Sequence, residues 1–145
     1  MSMARPYYLL DTNVISEMLN RFPSVAVCSK IDRFKDVSAI SSITWFELLA
    51  GVQNLPEGKR KEFLFDAIVN TVQSMFPVID YDRHAAWIHA DIMARTNAVG
   101  KKRPYQDSQI AATAVANNMI LVTRNVNDFK TIQEVSPLMV ESWWE

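Results

Sequence analysis

Three carboxylates in this chain stand apart from every other charge around them. Asp11 is the only charged residue between Arg5 and Glu17, Glu47 the only one between Asp36 and Glu57, and Asp107 the only one between Arg103 and Arg124. A further polar cluster, with Asn125 and Asp128, follows the strongest apolar run, Met119-Ile120-Leu121-Val122-Thr123. Buried carboxylates are costly unless paired, protonated or metal-bound. Brought together, they repel one another and raise each other's pKa, which a divalent cation relieves. The donors would all be oxygen. Cys28 is the only cysteine and packs more readily as a small core residue than as a nucleophile. His84 and His89 lie five apart, not at the i, i+4 spacing of a zinc helix. Oxygen donors favour Mg²⁺ or Mn²⁺ over Zn²⁺. The chemistry that fits is metal-assisted attack of water on a phosphodiester.

Such a site needs elements that deliver the acids to one place. Tyr7 to Leu10 read as a buried strand, and Val14, Ile15, Met18 and Leu19 recur with helical spacing after it, so Asp11 falls between strand and helix. The helix-cap reading of Asp11 competes with the ligand reading here. Ser24 is expected to cap a helix running to about Phe34, with Val25, Val27, Cys28 and Ile31 apolar. Val37–Ile40 reads as a second strand, followed by a helix from Ser41 or Ser42 that carries Glu47 between two apolar faces. A helix to about Phe76 is expected to bury Phe63, Leu64, Ala67, Ile68, Thr71 and Val72. Pro77–Asp80 reads as a third strand. Asp82 should cap a helix from Arg83 to about Ala98 with Ala86, Trp87, Ala90, Met93 and Ala94 inward. Asp107 opens an alanine-rich helix, where its competing reading is again an N-cap. Met119–Thr123 suits the middle of a parallel sheet, and a last short strand lies near Leu138–Val140. Strands alternating with helices imply a parallel sheet with right-handed crossovers, so that the strand-end residues share one sheet edge.

The bulk properties narrow the function classes. The chain of 145 residues, 49% hydrophobic and 21% charged, suits a single globular domain over 1–145. A net charge of −1 gives no global attraction for nucleic acid, so any such binding needs a local basic rim. Lys101, Lys102 and Arg103 before Asp107, and Arg124 before Asn125, are the candidates. No apolar run approaches a membrane span, no signal-peptide core is present, and no Gly-rich phosphate loop occurs; a cytoplasmic protein is the expectation.

The sequence resembles the PIN-domain ribonucleases, specifically the VapC-type toxins of toxin–antitoxin pairs. The likeness rests on Leu10-Asp11-Thr12-Asn13-Val14-Ile15-Ser16, on Ser42-Ile43-Thr44-Trp45-Phe46-Glu47-Leu48 with Gly51, and on Asp107-Ser108-Gln109-Ile110-Ala111-Ala112-Thr113-Ala114. It extends to Val122-Thr123-Arg124-Asn125 with Asp128-Phe129 and to the tryptophan near the C-terminus. The resemblance covers nearly the whole chain in the family's order. It implies a three-layer α/β/α sandwich with a short parallel sheet. It implies Mg²⁺ or Mn²⁺ held by Asp11 and Asp107 with Glu47 completing the cluster, Asn125 and Asp128 in the catalytic set, and endonucleolytic RNA cleavage by an activated water. Arg124, Lys102, Arg103, Thr12, Asn13 and Thr123 become candidate substrate contacts. A cognate antitoxin and a homodimer are the implied partners, with Trp45 and Trp143-Trp144 open to either an interface or the core. The chain departs from the pattern at Asn125, where many members carry an acid, and one firmly bound ion is the expectation.

Other readings fit less well. A phosphotransfer receiver wants adjacent acids after strand one, and Thr12 follows Asp11; a haloacid-dehalogenase type wants an Asp where Asn13 stands. A degenerate PIN-like binding module would have lost the acids that this chain keeps. A DNA-directed or structure-specific nuclease is the nearest alternative, since an acidic metal site alone does not sense a 2′-OH.

Overall fold

Continuous apolar runs need both faces covered, and the chain meets that need with helices on each side of a parallel sheet. The computed structural model describes residues 7–101 and 104–144. The strands are β1 (Tyr8–Leu10), β2 (Ser38–Ser41), β3 (Val78–Ile79), β4 (Ile120–Val122) and β5 (Met139–Glu141). They run parallel in the order β3-β2-β1-β4-β5, with Leu10 opposite Val122 and Leu9 opposite both Ala39 and Leu121. The centre of the sheet is therefore β1, and the long apolar run of β4 lies beside it.

Alternation along each strand divides the core in two. Leu10, Ile40 and Val122 face α1 (Thr12–Met18), α2 (Val25–Phe34), α3 (Ser42–Gln53) and the long helical segment that follows. That segment is α4 (Lys59–Asp66), a π-helical stretch over Ala67–Val72, and α5 (Gln73–Met75). Leu9, Ala39 and Leu121 face the other side, with Ile92 of α6 (Arg83–Ala98), Ile110 to Ala114 of α7 (Tyr105–Ala116) and Ile132 of α8 (Lys130–Val135). This is the expected α/β/α sandwich.

The helix starts follow the capping residues in the sequence. Ser24 Oγ accepts from Val27 N at 3.2 Å, Ser41 Oγ from Thr44 N at 3.0 Å, and Asp82 Oδ1 from Ala85 N at 2.9 Å. The alanine-rich helix differs: it begins after Pro104, and Asp107 sits in its first turn rather than at the cap. Its far end closes on Asn118 in the left-handed region, φ 54°.

Three apolar faces are phased differently from expectation. In α6 the buried residues are Ala85, His89, Ile92 and Thr96, and Trp87 is 78% exposed. His89 is buried with one ring nitrogen satisfied, its Nδ1 lying 2.8 Å from Tyr81 Oη, while its Nε2 meets no partner among the described residues. Its burial lowers the pKa of the imidazole below the usual histidine range. Val25 precedes the inward stripe of Val27 and Ile31 in α2 and is exposed. In α4 the inward residue is Leu64 while Phe63 is exposed, and Thr71 is exposed in the π-helical stretch.

Candidate active site

The chain order of β1 to β2 on one side and β4 on the other makes the β1/β4 boundary the switch point of the sheet. Ligands of open α/β sheets bind in the crevice this creates at the carboxyl ends of the strands. Asp11 follows β1 and Thr123-Arg124-Asn125 follow β4, so both arms of the boundary carry polar residues.

Asp11 is both helix cap and buried acid. Its backbone is extended, it precedes α1, and its Oδ1 accepts from Thr12 N at 2.8 Å. Its Oδ2 accepts from Thr123 Oγ1 at 2.8 Å and from Asn13 Nδ2 at 3.3 Å. Asn13 Nδ2 also donates to Thr123 Oγ1 at 3.1 Å, and Asn13 Oδ1 accepts from Arg124 N at 3.1 Å. Asp11 is 7% exposed. Burial raises its pKa above the ordinary carboxylate value, and the nearby charge of Glu47 pushes the same way. The bonds from Thr123, Thr12 and Asn13 favour the ionised form and oppose that rise.

Glu47 is half-buried, not enclosed on both sides, and its neighbour Phe46 is exposed. The small Gly51 one turn on leaves its side open. Thr12 Oγ1 donates to Glu47 Oε1, and Thr44 Oγ1 lies 3.2 Å from the same Thr12 hydroxyl. Thr12 thus joins the two acids, its amide on Asp11 and its hydroxyl on Glu47.

Asp107 reaches the site from α7. Asn125 and Asp128 come from the loop after β4, where a 3₁₀ turn over Val126–Phe129 follows. Asp128 N donates to Asn125 O at 3.0 Å, and the buried Phe129 anchors the turn. The link from Asn125 to Asp11 runs through Thr123: Asn125 N donates to Thr123 Oγ1 at 3.1 Å. Asp11, Thr12, Asn13, Glu47, Asp107, Arg124, Asn125 and Asp128 line one cavity of about 480 Å³. Thr123 has no exposed surface, so it holds Asp11 from beneath rather than meeting substrate. Lys102 and Arg103 lie outside the described residues.

The cavity also recruits Ser16, Glu17 and Asn20, which the sequence reading missed. A signal was present: Thr12, Ser16 and Asn20 recur every four residues, a polar stripe opposite Val14 and Ile15.

The donors suit a hard divalent cation. Among the described residues no three His, Cys, Asp or Glu side chains form a ready-made cage. The acids line an open cleft instead, which fits Mg²⁺, an ion that keeps waters and binds through a few carboxylates and substrate phosphate.

Fold and site define a doubly wound α/β protein with an acidic, oxygen-only cleft at its switch point. The chain belongs to the PIN domain family, whose profile matches residues 8–135. It is 35% identical over 140 residues to plasmid stability protein StbB of Pseudomonas syringae, covering 94% of this chain and 98% of the relative. It is 34% identical over 140 residues to VapC ribonuclease Y4jK of Sinorhizobium fredii, covering 94% and 97%. The crystal structure of FitAcB from Neisseria gonorrhoeae superposes with a TM-score of 0.86 at 31% identity, covering 95% of this chain and 99% of that one.

Proposed function

We propose that this chain is a Mg²⁺- or Mn²⁺-dependent endoribonuclease, the toxin of a toxin–antitoxin pair acting in the cytoplasm. The observation that carries the reading is the gathering of Asp11, Glu47 and Asp107 around one cleft, with Arg124 at its rim. Relatives named as a VapC ribonuclease and as toxin FitB, the latter 35% identical over 125 residues, support it. Among the described residues no helix is long and apolar enough to cross a membrane.

In this reading Asp11 and Asp107 would hold the cation, with Glu47 completing the set directly or through water. When bound, it neutralises charge gathering on the phosphate and lowers the pKa of water. Thr123, Thr12 and Asn13 aim the Asp11 carboxylate into the cleft. Thr12 fixes Glu47, and Arg124 binds a phosphate of the RNA. The Asn125–Asp128 loop borders the far side, where a second ion would need the substrate's own charge. Water is the nucleophile, with no covalent enzyme intermediate. A cognate antitoxin and a second copy of the chain are the partners. Trp143 packs in the core against Tyr8 and Phe34 and offers no surface for that dimer.

The purified protein is expected to cleave RNA only with Mg²⁺ or Mn²⁺. EDTA, Asp11→Asn or Asp107→Asn should each abolish cleavage. Metal-independent cleavage, or full activity in both variants, would sink the mechanism. Expression with and without the neighbouring reading frame tests the toxin role: growth arrest relieved by that frame is the expected result.

A further inference from the structure

Arg124 is held from an unexpected quarter. Its Cζ lies over the ring of Trp144, 5.4 Å from the centroid, in cation–π geometry. Its Nη1 is 4.0 Å from Glu17 Oε1. Glu17 is itself fixed, its Oε2 accepting from Ser24 N at 2.8 Å and its Oε1 from Asn20 Nδ2 at 3.3 Å. Arg124 N is fixed by Asn13 Oδ1, yet its side chain stays 61% exposed at the rim of the acidic cavity. The guanidinium is therefore braced on two sides and open to solvent on the rest.

The tail that brings Trp144 there is fastened at several points. β5 pairs with β4 so that Glu141 stands opposite Val122, and Thr123 N donates to Glu141 O at 3.0 Å. Trp143 is 1% exposed, its ring edge-on to Tyr8 at 5.3 Å, with Nε1 donating to Glu141 Oε2 at 2.8 Å. Trp144 N donates to Ser142 Oγ at 3.2 Å. The register of β5 against β4 and the burial of Trp143 thus set where the next ring falls, which is beside Arg124.

We infer that the tail after β5 is a working part of the substrate site, with Trp144 a positioning residue that holds the Arg124 guanidinium at the cleft mouth to receive an RNA phosphate. The inference rests on the ribonuclease reading above. A long, flexible arginine left in water loses rotamer freedom on binding phosphate. An aromatic face beneath it removes part of that cost beforehand, and guanidinium is well suited to stacking while its donors remain available for phosphate.

The test is a set of full-length variants at position 144 measured in two backgrounds. Binding of a labelled mixed-sequence single-stranded RNA and of total tRNA is followed in EDTA, where cleavage is stopped; cleavage is followed separately with Mg²⁺. Trp144→Ala should weaken binding and raise KM about two- to fivefold, the range for a cation–π contact at an exposed site, with kcat little changed. Trp144→Phe should restore most of the affinity, and Trp144→Leu, which keeps apolar bulk without a π face, should behave like alanine. In an Arg124→Ala background the same changes should have no further effect. Leucine performing as well as phenylalanine, an undiminished Trp144→Ala effect without Arg124, or a loss confined to kcat would overturn the inference while leaving the ribonuclease reading intact. Failure of the wild type to bind or cleave either RNA would defeat that reading, and this inference with it.

Discussion

Thr123 has one hydroxyl proton, and it goes to Asp11. The oxygen meanwhile accepts from Asn13 Nδ2 and from Asn125 N, so one buried atom ties the loop after β4 to the acid after β1. Thr123→Val removes that proton and both acceptor sites at nearly constant volume. Unmade bonds to a buried charged group cost about 1.5–3 kcal/mol, and supporting residues of a metal site are typically worth about 10–100-fold in metal affinity or activity. Urea denaturation should show a loss of about 2 kcal/mol, and the Mg²⁺ concentration giving half-maximal cleavage should rise about tenfold; an unchanged Mg²⁺ requirement would remove Thr123 from the site. The raised pKa of Asp11 carries its own consequence. Stability from its protonated form is fully present below the ordinary carboxylate pKa and is lost as pH rises through the higher folded value. Proton and cation therefore compete for one group. The acid limb of the cleavage–pH profile should move to lower pH as Mg²⁺ is raised, and a limb indifferent to Mg²⁺ would separate Asp11 from metal binding. The sequence marked Asp11, Glu47 and Asp107 because isolation from other charges is visible in one dimension. It did not reveal that Thr123 faces inward, because a threonine at a strand end reads alike from either side.

At the scale of elements, the starts of α2, α3 and α6 and the strand positions were legible because Ser24, Ser41 and Asp82 cap where they stand and the apolar runs are short and well separated, whereas α7 begins two residues before Asp107 and α8 has no side-chain cap to announce it. Helix phase was less legible wherever an apolar residue stays outside. In α6 the weight of Trp87 turned the expected face away from Ala85, His89 and Ile92, and the Tyr81 hydroxyl that meets one nitrogen of the inward histidine comes from before the helix. The two phases make opposite predictions. Ile92→Ala should cost about 2–4 kcal/mol, as buried large-to-small changes do. Trp87→Ala should move stability by no more than about 0.5 kcal/mol, as an exposed substitution does. Chemical denaturation of the two variants decides between the phases, and a large loss at Trp87 in the dimer alone would instead mark it as an interface residue. The polar stripe of Thr12 and Ser16 in α1, continued by Asn20 in the turn after it, is open to the same periodic reading as the apolar face. Glu17 lay concealed because its partners, Ser24 and Arg124, come from the start of α2 and the distant loop after β4.

At the scale of the molecule, a net charge of −1 and an acidic cleft both weaken the attraction for RNA, so a cation in the cleft should tighten the binding that remains in EDTA as well as support the chemistry. The two cores share one sheet, and we propose that residues 1–145 unfold as one domain in a single cooperative transition. The cleft then couples to the stability of the whole fold. Without a cation, the Glu47 charge opposes ionisation of Asp11 across the cleft they share, a repulsion confined to the native state, since the unfolded chain separates them. A cation that binds only the native cleft stabilises it by RT ln(1 + [L]/Kd), about 1.4 kcal/mol at tenfold Kd, which corresponds to roughly 3–6 °C for a chain of this size. Mg²⁺ should therefore raise the melting temperature of the wild type by about that amount. In Asp11→Asn and Asp107→Asn the increment should largely vanish, because each removes a charged donor from the cleft. Calcium, a hard oxygen-seeking ion of larger radius, serves as a second probe that need not support cleavage. The measurement reads the cleft without any RNA, so it stands apart from substrate choice: equal gains in the wild type and both variants would mean that the cation binds elsewhere, whatever the nuclease activity proves to be.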